Sequence, residues 1–342
     1  MTIRDKMLAR IRATNKSDET FKTYWHWCER YFRFVRDQSG QWKHPGECGR
    51  DEVESWLSLL ANSSEWVSAN TQNVALQAVC YLYREVLGKP LEDINALRAK
   101  APQRVREVLD VSEVASLFAE LRGVELLAAQ LMYGCGLRIG DVVNLRIKDL
   151  SFERRQIHVY GGKGDKDRLC QFPEVLHESV RRQIDSMRVL HADDVRLGLN
   201  GVSLPDGWAR KSPSSSLNFA WWYLFASDNY SKCPRSGRLL RHHRDRSHIS
   251  RQIQAATNRA GIEKRITSHN LRHSFATHSA EHGLPIHVLQ KLLGHTDIRT
   301  TETYLHASKE GVTASKSPLE FLLANPPAFS PAVKIHHPRE AS

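Results

Sequence analysis

His269, Arg272, His295 and Tyr304 fall in one stretch near the C-terminal end of the chain, TSHNLRHSFATHSAEHGLPIHVLQKLLGHTDIRTTETYLH. His269 and Arg272 are three apart, so on a helix they share one face. The apolar run HVLQKLLGH reaches a helix stop at Gly294, just before His295. Tyr304 follows in a polar, threonine-rich segment. A guanidinium offers a planar fork to phosphate oxygens and an imidazole offers further donors. A phenol supplies an oxygen nucleophile. Together they suit an anionic phosphorus centre attacked by an oxygen. The alternative is a solvated helix face and a packed tyrosine, since composition alone does not distinguish the two.

Two more residues could join such a site. Arg138 follows Gly134-Cys135-Gly136 at the entry to a new helix, where backbone N–H groups converge on anions. A surface arginine is the plain alternative. Residues 156–172 alternate as QIHVY, turn through GGKGDKD and alternate again as RLCQF, which predicts a β-hairpin. Lys163 sits at or near its tip, where an ammonium can protonate a leaving oxygen or simply serve the turn. Lys166 competes for the same role.

In order and spacing, GLRIGD, the hairpin lysine, HNLRH, LLGH and TETYLH closely resemble the signature of the tyrosine recombinase (phage integrase) family. The resemblance covers both halves of the chain. It implies a catalytic set of Arg138, Lys163, His269, Arg272, His295 and the nucleophile Tyr304. It also implies a 3′-phosphotyrosyl intermediate, DNA as substrate, a homotetramer on two DNA sites, and no metal, ATP or other cofactor. Gly140 and Asp141 depart from the family's usual small residue and Glu after the first arginine, which puts the reach of that carboxylate in question. Leu305 departs from the polar or β-branched residue common after the tyrosine.

The elements that must position these groups are mostly helical. The chain has 342 residues, 41% hydrophobic and 25% charged, enough for two domains with real cores. Net charge is +11 with a pI near 9.4, which favours a polyanionic partner. Six scattered cysteines without a C-x-x-C pair argue against disulfide or zinc frameworks and suit a reducing cytoplasm. Neither a signal peptide nor a membrane span is expected.

The fold expected is mainly α with a small β-sheet. Residues 1–98 read as a helical domain, SAM-like and core-binding by the resemblance. An aromatic stripe from Phe21 to Phe34 packs its core, and further helices are expected over 51–60 and 68–87. Residues 99–109 read as a basic linker able to lie along a DNA backbone or to sit in solvent. Residues 110–324 form the catalytic domain, opened by an Asp110–Glu113 capping box. A helix is expected over 173–191, and a short one over 317–324 that by resemblance docks on a neighbouring protomer. The tail 325–342 reads as disordered.

Within 192–250, LPDGWARKSP, WWYLFAS and PRSGRLLRHH resemble the added segment of integron integrases. That implies recombination of gene cassettes at sites folded from single strands with extrahelical bases. Trp221, Trp222, His242 and His243 are then candidate stacking surfaces, at about 1–3 kcal/mol per base. Arg238 and Arg241, with Arg235 and Arg244, are candidate phosphate contacts. The alternative is core tryptophans and solvated arginines. Rival readings of the whole chain are a phage- or Xer-type recombinase on ordinary duplex, a type IB topoisomerase, and a DNA-binding accessory protein with an idle site. A metal-dependent nuclease is disfavoured, since no clustered carboxylates accompany the histidines.

Overall fold

Helix α1, Ile3–Ala13, begins where Thr2 and Asp5 exchange hydrogen bonds in a capping box. The aromatic stripe lies on α2, Asp18–Ser39, and buries Phe21, Trp27, Tyr31 and Phe32. They meet Trp56 and Leu57 of α3, Arg50–Asn62, and Ala75 and Val79 of α4, Ala69–Tyr81. Each such side chain contributes about 1.5–3 kcal/mol when fully buried. The last helix continues through a π-helical turn, Leu82–Leu87, and stops at Gly88 with φ 66°. Polar groups inside this core are satisfied: Tyr31 and Tyr83 hydroxyls lie 3.0 Å apart, and Tyr83 donates to the Pro45 carbonyl at 2.8 Å.

This computed structural model describes residues 1–14, 16–39, 43–62, 67–91, 94, 107–161, 167–199, 201–233, 236–295 and 297–302. The chain divides into two compact units, Met1–Arg104 and Val105–Ser342. Residues 99–106 of the basic linker expected over 99–109 fall outside the described residues, as do the whole of the helix over 317–324 and the tail. No helix among the described residues is long and apolar enough to cross a membrane.

The second unit opens with α5, Val111–Ala119, where the Asp110 N–H donates to Glu113 at 2.8 Å as the capping box requires. Helix α6, Gly123–Cys135, and α7, Ile139–Asn144, follow. A three-stranded antiparallel sheet comes next: β1 Leu150–Ser151, β2 Gln156–Val159 and β3 Arg168–Gln171. Its register pairs Ile157 with Cys170 and Val159 with Arg168. Strand β1 was not expected, being only two residues long. The helix expected over 173–191 is α8, His177–Arg196, reached through a 3₁₀ turn.

After α9, Asp206–Lys211, an unexpected hairpin forms from β4, Ala226–Lys232, and β5, Leu239–His243. The unit closes with α10 Arg246–Arg259, α11 Ser268–Glu281, α12 Ile286–Leu293 and α13 Arg299–Glu302. Its main core joins Leu131 of α6, Val142 of α7, Ile157 of β2, Ile253 of α10 and Leu271 of α11. The segment after α8 packs on that helix in a separate core, Val202, Trp222, Tyr223 and Ala226 against Met187 of α8. The architecture is mainly helical with small antiparallel sheets.

Candidate active site

Arg138 lies in the tight passage between α6 and α7. The passage turns at Gly136, which has φ 64° and would place a Cβ 2.4 Å from the Phe275 ring of α11. Gly136→Ala therefore combines left-handed strain with an overpacked contact. The strain costs about 1–2 kcal/mol and the overpacking about 1–3 kcal/mol, so denaturation should show a loss of roughly 2–5 kcal/mol. An unchanged midpoint would show that the passage can relax.

Asp141 has the reach its shortness put in question. Its Oδ2 accepts the Arg138 N–H at 2.9 Å, fixing the first turn of α7, and also accepts Arg168 Nη2. Arg168 Nε donates to the Leu292 carbonyl at 3.2 Å, near the end of α12. Its side chain is only 6% exposed.

Arg272 is buried on α11, with 1% of its surface exposed. Nη1 donates to the Gly136 carbonyl at 2.6 Å and Nη2 to the Leu293 carbonyl at 2.5 Å. Both carbonyls lie at helix C-termini, where orphan acceptors need partners. One side chain thereby ties the Arg138 turn to the end of α12. There Gly294, φ 62°, ends the helix and turns the chain into His295.

His295 Nε2 is 3.3 Å from Arg272 Nη2, and Nδ1 is 2.9 Å from Oγ1 of the fully buried Thr301. A guanidinium only donates, so Nε2 accepts, and the ring proton on Nδ1 is donated to Thr301. Gln290 holds the His295 backbone through two bonds of 3.1 Å.

Arg138, Arg168 and His295, with Tyr160, Asp167 and Lys291, line one cleft of 860 Å³. Its three cationic side chains, Arg138, Arg168 and Lys291, suit an anion. Cysteine is a poor nucleophile here, because burial pushes the Cys135 and Cys170 thiols up from their ordinary values. His269 is exposed on the first turn of α11, its ring edge-on to the buried His273 at 4.6 Å. Lys163, Lys166 and Tyr304 lie outside the described residues. The structure thus brings together Arg138, Arg272 and His295.

The base-reading candidates divide. Trp222 is fully buried in the core on α8 and offers no face to a base. Arg241 is buried too, its guanidinium donating from Nε and Nη2 to the two oxygens of Asp194 at 2.7 and 2.6 Å. Both expectations are corrected, because apolar packing holds the one and a bidentate ion pair holds the other. His243 is half-buried, its Nδ1 2.7 Å from the Arg244 carbonyl. His242 lines a second cleft of 360 Å³ with the exposed Arg238. Burial pushes the His242 imidazole below its ordinary value, with His243 adding to the effect. Arg244 pairs with Asp228 at 2.9 Å, and Arg235 lies outside the described residues. Trp221 is half-buried, stacked on the exposed Trp208 at 5.1 Å and 27°, with Lys148 over its ring at 4.6 Å.

Sequence reasoning missed Arg168, Thr301 and Trp208. Arg168 had a signal: strand alternation puts it on the same face as the buried Cys170, and a buried arginine needs a partner.

The chain matches the phage integrase family over residues 104–311, and the N-terminal SAM-like domain of phage integrases over residues 3–93. It is similar to an integrase/recombinase of Escherichia coli, 39% identical over 321 residues and 93% of each chain. It is also similar to the tyrosine recombinase XerA of Thermococcus kodakarensis, 29% identical over 86% of this chain and 87% of that one. Among solved structures it shares a fold with the XerH site-specific recombinase bound to difH substrate in a pre-cleavage complex. That match has a TM-score of 0.58 at 17% identity and covers 93% of this chain and 85% of the other.

Proposed function

The chain belongs to the phage integrase family and is a tyrosine recombinase, and from that premise we propose that it cuts and rejoins DNA through Tyr304 at folded, integron-type sites. The phenol oxygen attacks the scissile phosphorus as the bond to the 5′ oxygen breaks. A 3′-phosphotyrosyl link forms, and the freed 5′ oxygen takes a proton from Lys163. The reverse attack by a 5′-hydroxyl restores the phosphodiester and releases the phenol. Because the covalent link stores the bond, neither ATP nor a metal is consumed. A free phenol ionises near pH 10, and a cationic cleft favours the phenolate as it develops.

Arg138 and Arg272 bind the nonbridging oxygens, with His269 as a further donor and His295, whose Nε2 accepts in the resting site, as a carrier of the phenol proton. Each such contact contributes about 3 kcal/mol in the transition state. The observation that carries this reading is the convergence of Arg138, Arg272 and His295, two guanidiniums and an imidazole drawn from three separate chain segments.

The integron-type substrate rests on the segment after α8. Its core against α8 holds up the Trp208–Trp221 stack, flanked by Lys148, which suits an unpaired base and its phosphate. His242, His243 and Arg238 lie on the neighbouring β5 side of the same segment. Four copies on two DNA sites complete the reaction. The test is adduct formation on a nicked, folded single strand with extrahelical bases against its fully paired duplex. Hairpin-selective adducts that Trp221→Ala makes non-selective are expected. Equal or duplex-preferring adducts would favour the alternative of a Xer- or phage-type enzyme, a reading supported by the buried state of Trp222 and Arg241.

A further inference from the structure

We propose that Arg168 is a positioning residue for strand cleavage, acting as a strut that aligns the β2–β3 hairpin with the turn that carries Arg138. The inference rests on the recombinase reading above. Arg168 starts β3, directly after the connection that contains Lys163, and pairs across the hairpin with Val159. From there its guanidinium reaches two other elements. Nη2 meets Asp141, whose same oxygen holds the Arg138 N–H, and Nε meets the Leu292 carbonyl near the end of α12.

Both partners of the ion pair are nearly buried, at 6% and 11% exposed. A buried pair costs desolvation that its attraction only offsets when the geometry is well made. Its persistence at the cleft wall is therefore better explained by alignment than by stability. The approach is close: a Cβ on Gly294 would lie 2.8 Å from Arg168 Cδ, so the corner entering His295 sits directly against this side chain. Asp167 closes the other side, accepting the Gly161 N–H at 2.9 Å at the base of the connection. One arginine thus sets the relative positions of the hairpin that delivers the acid, the turn that delivers Arg138 and the corner that delivers His295.

Arg168 acts on proton delivery to the leaving 5′ oxygen through the hairpin, and this can be separated from folding. In a 5′-bridging phosphorothiolate the P–S bond breaks and the thiolate leaves without a proton. The substrate is a site enriched by covalent capture on the wild-type chain from random duplexes and random folded single strands, made with oxygen or sulfur at the scissile position. On the oxygen substrate, Arg168→Met should form adduct about 100-fold more slowly than wild type, the scale of a misaligned general acid. On the sulfur substrate the deficit should shrink by at least about tenfold, with DNA binding and melting temperature reported alongside.

Arg168→Lys keeps a charge for Asp141 but loses the fork. It should show the same substrate preference with a smaller deficit, and it carries the test if Arg168→Met does not fold. Equal deficits on both substrates, or adduct rates within about twofold of wild type, would overturn the proposal. Failure of the wild-type chain to capture any DNA would instead overturn the recombinase reading.

Discussion

Replacing Arg272 by alanine is expected to lower strand cleavage by about 10³-fold or more while DNA is still bound, the scale of losing preorganised donors at a developing charge. The loss has two parts. One is the proposed contact with the nonbridging oxygens. The other is the Gly136 and Leu293 carbonyls, which the guanidinium now satisfies at 2.6 and 2.5 Å. Leaving each buried acceptor unpaired costs about 1–3 kcal/mol, so the melting temperature should fall too. Arg272→Lys keeps the charge but offers no planar fork. It should recover part of the stability and little of the rate. Single-turnover adduct formation at saturating DNA separates these effects from binding. A lysine variant that cleaves like wild type would show that only charge matters here.

Asp194→Ala is expected to destabilise the second unit by about 3–5 kcal/mol, the cost of leaving one partner of a buried pair uncompensated. Asp194 and Arg241 are 4% and 3% exposed, joined by two hydrogen bonds. Arg241 also donates to the Tyr230 hydroxyl at 2.7 Å and the Ser227 carbonyl at 2.6 Å. Burial and the Asp194 carboxylate push that phenol up to about 12, so it stays protonated and offers the pair no negative charge at neutral pH. Replacing both partners by apolar residues, Asp194→Leu with Arg241→Met, should recover most of the loss, because no charge is then stranded. Chemical denaturation reads both outcomes. If the alanine variant melted like wild type, water would have to reach the pair readily.

Much of the fold was legible because its signals are local. The aromatic spacing of α2 and the Asp110–Glu113 box each point to one outcome, and the QIHVY and RLCQF alternation gave the hairpin. Gly294 marked a helix end and has φ of 62°. The β4–β5 hairpin was not legible, because ASDNYSK buries only Ala226 fully and so carries no apolar alternation. Trp222 and Arg241 could not be placed from sequence either. A tryptophan beside another tryptophan is the same string whether it packs or stacks, and an arginine does not announce an aspartate 47 positions away. At the site, the resemblance to the family's motifs pointed to Arg138, Arg272 and His295, and the fold places Arg272 beside His295 and His295 in one cleft with Arg138. Arg168 and Thr301 act through contacts with distant segments, which a one-dimensional motif does not contain.

The measurement that bears most directly on this account is covalent capture of a nicked DNA site by wild-type chain and by Tyr304→Phe, in chelator and without nucleotide. The wild-type chain should form an adduct whose linked peptide contains Tyr304, on the 3′ side of the break. The phenylalanine variant should bind the same DNA and form none. An adduct that persists in Tyr304→Phe, or one mapped to another residue, would contradict the assignment of the nucleophile and with it the mechanism.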